Sequence, residues 1–273
     1  MRGNQKYSVL MSVYKKEKGE YLRESIESIL NQTIVTDDFV IVCDGPLTDE
    51  LNQVIDEYEK SNAIIHVVRL KENKGLGSAL NEGLNHCRNE LIGRMDSDDI
   101  CMANRFERQL EIFELMNVDI VGGAVTEFAG SPDNPISNRV PPHTHDEIVA
   151  FSKKRNPFNH PSVMFRKSAV IAAGGYQDFP YFEDYYLWVR MLSSGARGYN
   201  IKEPVMYMRS GKDMYARRGG REYVKHMLEY KKKIHKMGYT TKAEYLESTV
   251  PHAVVGMMPN KMRQIFYKKV LRK

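Results

Sequence analysis

Cysteine is scarce in this chain. Cys43, Cys87 and Cys101 are odd in number and stand at no metal or redox spacing, which excludes a disulfide framework and predicts reduced thiols in a cytoplasmic protein. Long apolar runs are absent too, and none approaches the length that spans a bilayer. The opening Met-Arg-Gly-Asn-Gln-Lys leads into only seven mostly apolar residues, too few for the core of a secretory signal, so the expectation is a protein without a leader. A phosphate loop is missing as well: Asn73-Lys74-Gly75-Leu76-Gly77 lacks that spacing, and a basic Tyr14-Lys15-Lys16-Glu17-Lys18 follows the first apolar run. What the last quarter lacks is acid. Residues 209–273 carry 17 Lys and Arg against 5 acids, a balance of +12, while residues 1–208 balance at −7. Such a tail seeks phosphate, whether in anionic lipid, nucleic acid or a pyrophosphate-bearing substrate.

What is present is an ordinary globular composition, with 42% hydrophobic and 27% charged residues in 273. That suits one large α/β domain or a domain with an extension. Tyr7–Val13 reads as a β-prone first strand and Phe39–Cys43 as a second, ending in the Asp44-Gly45-Pro46 turn; Ile64–Val68 makes a third. Between them, Leu22, Ile26, Ile29 and Leu30, then Leu51, Val54, Ile55 and Tyr58, fall at helical spacing. A third helix opens at Asn73-Lys74-Gly75 and runs to Cys87. Strand and helix thus alternate four times in about a hundred residues, which predicts a mostly parallel sheet flanked by helices.

The fourth strand matters most. Leu91 to Ile100 reads Leu-Ile-Gly-Arg-Met-Asp-Ser-Asp-Asp-Ile, a short apolar run emptying into Asp96, Asp98 and Asp99. Ligands of open α/β sheets bind at the carboxyl ends of the strands. Carboxylates packed this closely repel one another unless a cation lies among them, and Mg²⁺ or Mn²⁺ is held by one or two carboxylates with substrate phosphates completing its shell. The alternative is a loop of solvated acids in which Asp99 caps the next helix. Asp44 at the second strand end either accepts a hydrogen bond from a base or ribose or merely starts its turn.

In order along the chain, Ser12-Val13-Tyr14, Ser-Ile-x-Ser-Ile-Leu-Asn-Gln-Thr (residues 25–33), Asp44, Asn73-Lys74-Gly75 and Met-Asp-Ser-Asp-Asp resemble the family 2 glycosyltransferases. The resemblance spans residues 7 to about 210 and is nearest to bacterial enzymes of capsule, exopolysaccharide and O-antigen assembly. It implies a GT-A type fold, a nucleotide-sugar donor, inversion at the anomeric carbon, and Mn²⁺ or Mg²⁺ as cofactor. By position, Ser12, Val13, Tyr14 and Asp44 would hold the base and ribose, with Asn73 and Lys74 beside them; Asp96 and Asp98 would bind the metal. Uracil, thymine and guanine all present a ring N–H to Asp44, so a UDP-sugar is implied by the resemblance alone. Many relatives carry Ala-Arg-Asn where this chain has Ala79-Leu80-Asn81, which leaves open which basic group touches the donor there; Arg94, just before the acidic cluster, is a candidate.

Further on, Arg105–Leu115 reads as an amphipathic helix and Asp119–Val125 as a strand, whereas Ser131–Pro142 reads as a surface loop. His160, in Asn156-Pro157-Phe158-Asn159-His160-Pro161-Ser162, either binds metal, diphosphate or acceptor or is a loop histidine satisfied by backbone. Relatives have His-Pro-Ser here. Phe-Pro-Tyr-Phe-Glu-Asp-Tyr-Tyr-Leu-Trp (residues 179–188) puts Glu183 and Asp184 at a helix start, where acids complement the dipole; its dense aromatics suit stacking on sugar rings and would raise an adjacent carboxylate by desolvation. In the family the Asp of such a Glu-Asp pair is the catalytic base, which implies Asp184 as base, with Glu183 supporting it or contacting the acceptor. Arg209 ends a strand and is placed on the donor. Arg217 and Arg218 sit in a Gly- and Arg-rich stretch, either a loop closing over the diphosphate or a solvated linker.

Residues 1–210 are therefore read as the nucleotide-sugar-binding and catalytic domain and 211–273 as a basic helical extension. Its last helix, residues 259–273, alternates Met262, Ile265, Phe266, Val270 and Leu271 with cations, as an interfacial membrane helix does; the alternative is a terminal helix docked on the body with its charges solvated. The implied acceptor is a lipid-linked glycan at the inner face of the cytoplasmic membrane. Two other classes compete. A nucleotidyltransferase normally shows a Gly- and Arg-rich loop after the first strand, absent here. A non-catalytic phosphate- or membrane-binding module driven by the +12 tail leaves the strand-end motifs unexplained, and no nucleic-acid partner is expected.

Overall fold

The computed structural model describes residues 5–210, 219–259 and 262–263. Along them run β1 (Tyr7–Val13), α1 (Gly19–Leu30), β2 (Asp38–Cys43), α2 (Asp49–Ser61), β3 (Ile65–Arg69), α3 (Leu76–His86), β4 (Leu91–Asp96), β5 (Ile100–Cys101) and α4 (Arg105–Leu115). Then follow β6 (Ile120–Phe128), β7 (Pro135–Arg139), α5 (His145–Ser152), a 3₁₀ turn (His160–Ser162), β8 (Met164–Arg166), α6 (Lys167–Ala172), α7 (Glu183–Ser193), β9 (Gly198–Arg209), α8 (Arg221–Lys236) and α9 (Lys242–Met257).

One sheet organises these elements, in the order β3-β2-β1-β4-β8-β6-β9-β5 with β7 paired to β6. β1 to β4, β6 and β9 point one way, and β5, β7 and β8 run against them. The expected mostly parallel sheet is what forms. Period-two alternation sorts β1 between two cores: Val9, Met11 and Val13 join the cluster covered by α1, α2 and α4, and Leu10 joins the one covered by α3 and α7. α1 turns Leu22, Ile26 and Ile29 fully inward, each burial contributing about 1.5–3 kcal/mol. Cys43, Cys87 and Cys101 are buried free thiols, as expected. Among the described residues no helix is long and apolar enough to cross a membrane.

Two expectations change. Residues 131–142 are not all loop, because β7 adds to β6 through polar pairs: Ser137 Oγ donates to Glu127 at 2.6 Å and Thr126 Oγ1 to Asn138 at 2.9 Å. The final helix assigned to residues 259–273 lies outside the described residues except for 259, 262 and 263; the described C-terminal helices are α8 and α9. These form an antiparallel hairpin, since Gly220 at the start of α8 donates its N–H to Gly256 O near the end of α9 at 3.0 Å.

Candidate active site

Parallel strands deliver their carboxyl ends to one edge. Register pairs Ser12 with Asp96 across β1 and β4, and Val13 with Cys43 across β1 and β2, so the three strand ends stand level. At the β2 end the Asp44 carboxylate accepts hydrogen bonds from Lys74 N (2.7 Å), Gly75 N (3.1 Å) and Asn73 Nδ2 (2.8 Å). Gly45 has φ +83, and a Cβ there would meet Asn73 N at 2.5 Å. Glycine is what lets the two loops close on each other. The structure thus brings Asp44, Asn73 and Lys74 together. Tyr14 is 42% exposed beside them, but Val13 differs from expectation: its side chain is in the core and its carbonyl accepts from Asp44 N at 2.8 Å.

The acidic turn is the strongest feature. Carboxylate oxygens of Asp96, Asp98 and Asp99 lie within 4.8 Å of one another. Ser25 Oγ donates to Asp96 O (2.9 Å) and Ser97 Oγ to Glu17 (3.0 Å), fixing the turn to the first helix and the loop before it. Burial, then Asp96 and Glu17, pushes the Asp98 carboxyl up to about 7. Asp99 is raised well above the usual carboxylate range by burial and by its two neighbours. Nor does it cap a helix: Oδ1 accepts the backbone N–H of Arg209 at 2.7 Å, while Oδ2 is buried without a partner. Three crowded oxygen donors, one orphaned, are a fit for a hard divalent cation.

Both arginines expected on the donor have other tasks. Arg94 is buried, with Nη2 2.5 Å from Asp96 Oδ1 and with Nε and Nη1 lacking a hydrogen-bond partner. Arg209 donates Nε to Asp98 O (2.9 Å) and Nη1 to Gly130 O (2.9 Å), pairs with Glu24, and lies over the Tyr21 ring at 3.8 Å. It clamps the acidic turn. Leu80, which replaces the relatives' arginine, is fully buried.

Opposite stands the start of α7. Asp184 accepts from Asn156 Nδ2 at 2.6 Å through one oxygen and from Tyr185 N at 2.6 Å through the other. Tyr176 ties this wall to its neighbours: its main chain exchanges hydrogen bonds of 2.6 and 2.8 Å with Asn81, and its hydroxyl meets His160 Nε2 at 2.9 Å. Burial, then Arg94, holds His160 well below its ordinary pKa, so it is a neutral partner of Tyr176 rather than a charged ligand. A Cβ on Gly77 would lie a tight 3.3 Å from Tyr176 Cβ and at ordinary contact distance, 3.7 Å, from Glu183 Cβ, so the start of α3 packs closely against this wall. Arg94, Asp184, Glu183 and Asp96 all act on the Tyr176 hydroxyl, which joins the acid pair to the β4 end. Tyr181 takes φ 69, a conformation that costs a non-glycine residue about 1–3 kcal/mol and gathers at functional sites.

The aromatic run does not offer itself to sugars as expected. Phe182, Tyr185, Tyr186 and Trp188 are buried, and of this run Tyr181 stands out at 48% exposed. Desolvation of a neighbouring carboxylate does occur: burial, then Asp184, pushes Glu183 up to about 7. The raised folded value means that the stabilising protonated form is complete below the ordinary value of 4.5 and lost as pH rises to 7. Glu183→Gln is therefore expected to raise the thermal midpoint at pH 8 by more than at pH 4.5, as calorimetric melting would record; equal shifts would speak against the burial assignment. Glu17, Asn156 and Tyr176 were given no role by the sequence analysis, because their roles rest on partners far away in the chain.

Residues 8–173 match the family described as Glycosyl transferase family 2. The UDP-Gal:alpha-D-GlcNAc-diphosphoundecaprenol beta-1,3-galactosyltransferase of Escherichia coli is 37% identical over 270 residues, which are 98% of this chain and 97% of that protein. The amylovoran biosynthesis glycosyltransferase AmsE of Erwinia amylovora is 37% identical over 267 residues, 96% of this chain and 98% of that one. The crystal structure of S. aureus TarS 1-349 in complex with UDP-GlcNAc has a TM-score of 0.70 at 16% identity, covering 97% of this chain and 76% of that chain, a likeness of fold.

Proposed function

This chain belongs to glycosyl transferase family 2 and is a glycosyltransferase with a GT-A type fold, and we propose that it transfers a sugar from a UDP-sugar, with inversion, to a hydroxyl of a lipid-diphosphate-linked glycan. The observation that carries this reading is that the level ends of β2 and β4 bear the Asp44 loop and the three-carboxylate turn, while the acid pair opening α7 acts on the same Tyr176 hydroxyl as Asp96. In it, Asp44, with the loop it fastens, receives the uracil and ribose beside Tyr14.

Asp96, Asp98 and Asp99 would hold Mn²⁺ or Mg²⁺. When bound, that ion supplies Lewis-acid stabilisation of the departing diphosphate. Asp184 takes the proton from the acceptor hydroxyl as its oxygen attacks C1 from the face opposite the leaving nucleotide. Asn156 and the Tyr185 N–H keep that carboxylate aimed. Direct displacement needs no covalent intermediate and gives inversion. Arg94 fixes Asp96, and Arg209 fixes the turn. An acceptor of this kind resides in a membrane, so the enzyme works at a bilayer surface.

Calorimetric titration with UDP, GDP and dTDP, each with and without Mn²⁺, tests the reading. UDP is expected to bind selectively and more tightly with Mn²⁺. No binding of any of the three to folded protein would overturn it.

A further inference from the structure

α9 is built inside out. The residues it buries are Ser248, Thr249 and Gly256, whereas Leu246, Val250, Val254 and Met257 stand 48%, 56%, 55% and 54% exposed. Intervals of four, four and three put those four on one helix face. The acids of α9 are held by the body: Glu244 pairs with Lys153 at 2.7 Å and Glu247, at the edge of the stripe, with Lys154 at 3.2 Å, both against α5's end. The outward stripe is thereby left apolar, and the one carboxylate at its edge, Glu247, is offset by Lys154.

Its partner helix carries the complement. On α8, Arg221, Lys225, Lys232 and Lys236 are exposed at intervals of four, seven and four, again one face, with Leu228 39% exposed among them. The two helices are locked together and to the body. A Cβ on Gly256 would already lie 2.6 Å from Val224 Cγ2, Tyr223 Oη meets His252 Nε2 at 3.0 Å, and Lys231 Nζ donates to Lys154 O at 2.9 Å.

We infer that the α8–α9 hairpin is a docking surface for a bilayer containing anionic lipid, with the α9 stripe entering the acyl boundary and the α8 cations meeting the headgroups. The inference rests on the lipid-linked acceptor proposed above for its purpose, and on the two helices for its chemistry. Apolar residues on one face beside a row of Lys and Arg are what interfacial helices present. A second copy of this chain is a poorer occupant, because a two-fold contact through this surface brings the α8 cations against themselves.

Co-sedimentation of the full chain with phosphatidylcholine vesicles, with or without one quarter phosphatidylglycerol, tests it, alongside UDP titration of every variant. Wild type is expected to bind the anionic vesicles at least tenfold more tightly than the neutral ones. Val250→Asp/Val254→Asp should lose at least tenfold of that binding. Lys225→Gln/Lys232→Gln should weaken it by roughly fivefold per cation and flatten its salt dependence. Unchanged UDP affinity shows each variant folded, and Val250→Ser/Val254→Ser provides a milder second variant. Anionic-vesicle binding by Val250→Asp/Val254→Asp equal to wild type overturns the inference. So does a wild-type dimer, indifferent to vesicles, that this variant dissolves. Failure of UDP to bind wild type strikes the transferase reading instead and leaves the vesicle result standing.

Discussion

Asp184→Asn is expected to lower glycosyl transfer by roughly 100- to 10,000-fold while UDP affinity stays at the wild-type value, because general-base catalysis is worth about that much. The amide is the same size as the carboxylate but cannot take a proton at working pH. It also disturbs the local network, since both oxygens of Asp184 accept, one from Asn156 Nδ2 and the other from the Tyr185 N–H. An asparagine must turn its NH₂ toward one of these donors. Part of the loss is thus positional, and Asn156→Ala, which leaves the carboxylate in place, should show that part alone as a smaller fall in kcat. Kinetic titration of both substrates reads the outcome. A kcat within tenfold of wild type in Asp184→Asn would move the base to another residue.

Asp98→Ala is expected to act in two opposite directions. Transfer should fall by roughly 1000-fold, and the Mn²⁺-dependent part of UDP affinity should vanish, because Lewis-acid stabilisation of a departing diphosphate is worth several kcal/mol. In chelator, however, the variant should melt higher than wild type. Burial, Asp96 and Glu17 all disfavour the charged Asp98 carboxylate, so removing it relieves repulsion that the fold otherwise carries for function. Calorimetry of UDP binding with and without Mn²⁺ and melting in EDTA check both halves. Unchanged Mn²⁺ dependence would place the cation elsewhere.

The sheet was legible because its elements follow simple periods. β2 is buried at every position, as a strand covered on both faces must be, and α1 and α2 bury the residues their spacing names, Leu30 only in part. The strand-end motifs were legible for the same reason, since parallel strands bring their ends to one edge. Partners were not. Arg94 and Arg209 read as donor contacts because sequence gives charge without direction; their hydrogen bonds to Asp96, Asp98 and Gly130 exist only after folding. The aromatics of residues 182–189 had a readable signal, however. Phe182, Tyr185, Tyr186 and Val189 form one face of α7, and Leu187, Trp188 and Met191 another. A helix apolar all round is a buried helix. α9 hid itself by reversing that rule, and β7 by pairing through Ser and Asn.

Because both faces of α7 are clad, its stability has two owners. One face belongs to the sheet core, the other to the aromatic cluster in which Phe182 stacks on Tyr230 at 5.2 Å and Tyr185 meets the same ring at 4.6 Å. Local opening follows the weaker cladding, and here that is a two-helix hairpin rather than a nine-stranded sheet. Whatever loosens the hairpin uncovers the helix that begins with Glu183 and Asp184, and whatever steadies it steadies them. The amide protons of α7 thus record the state of a surface they do not touch.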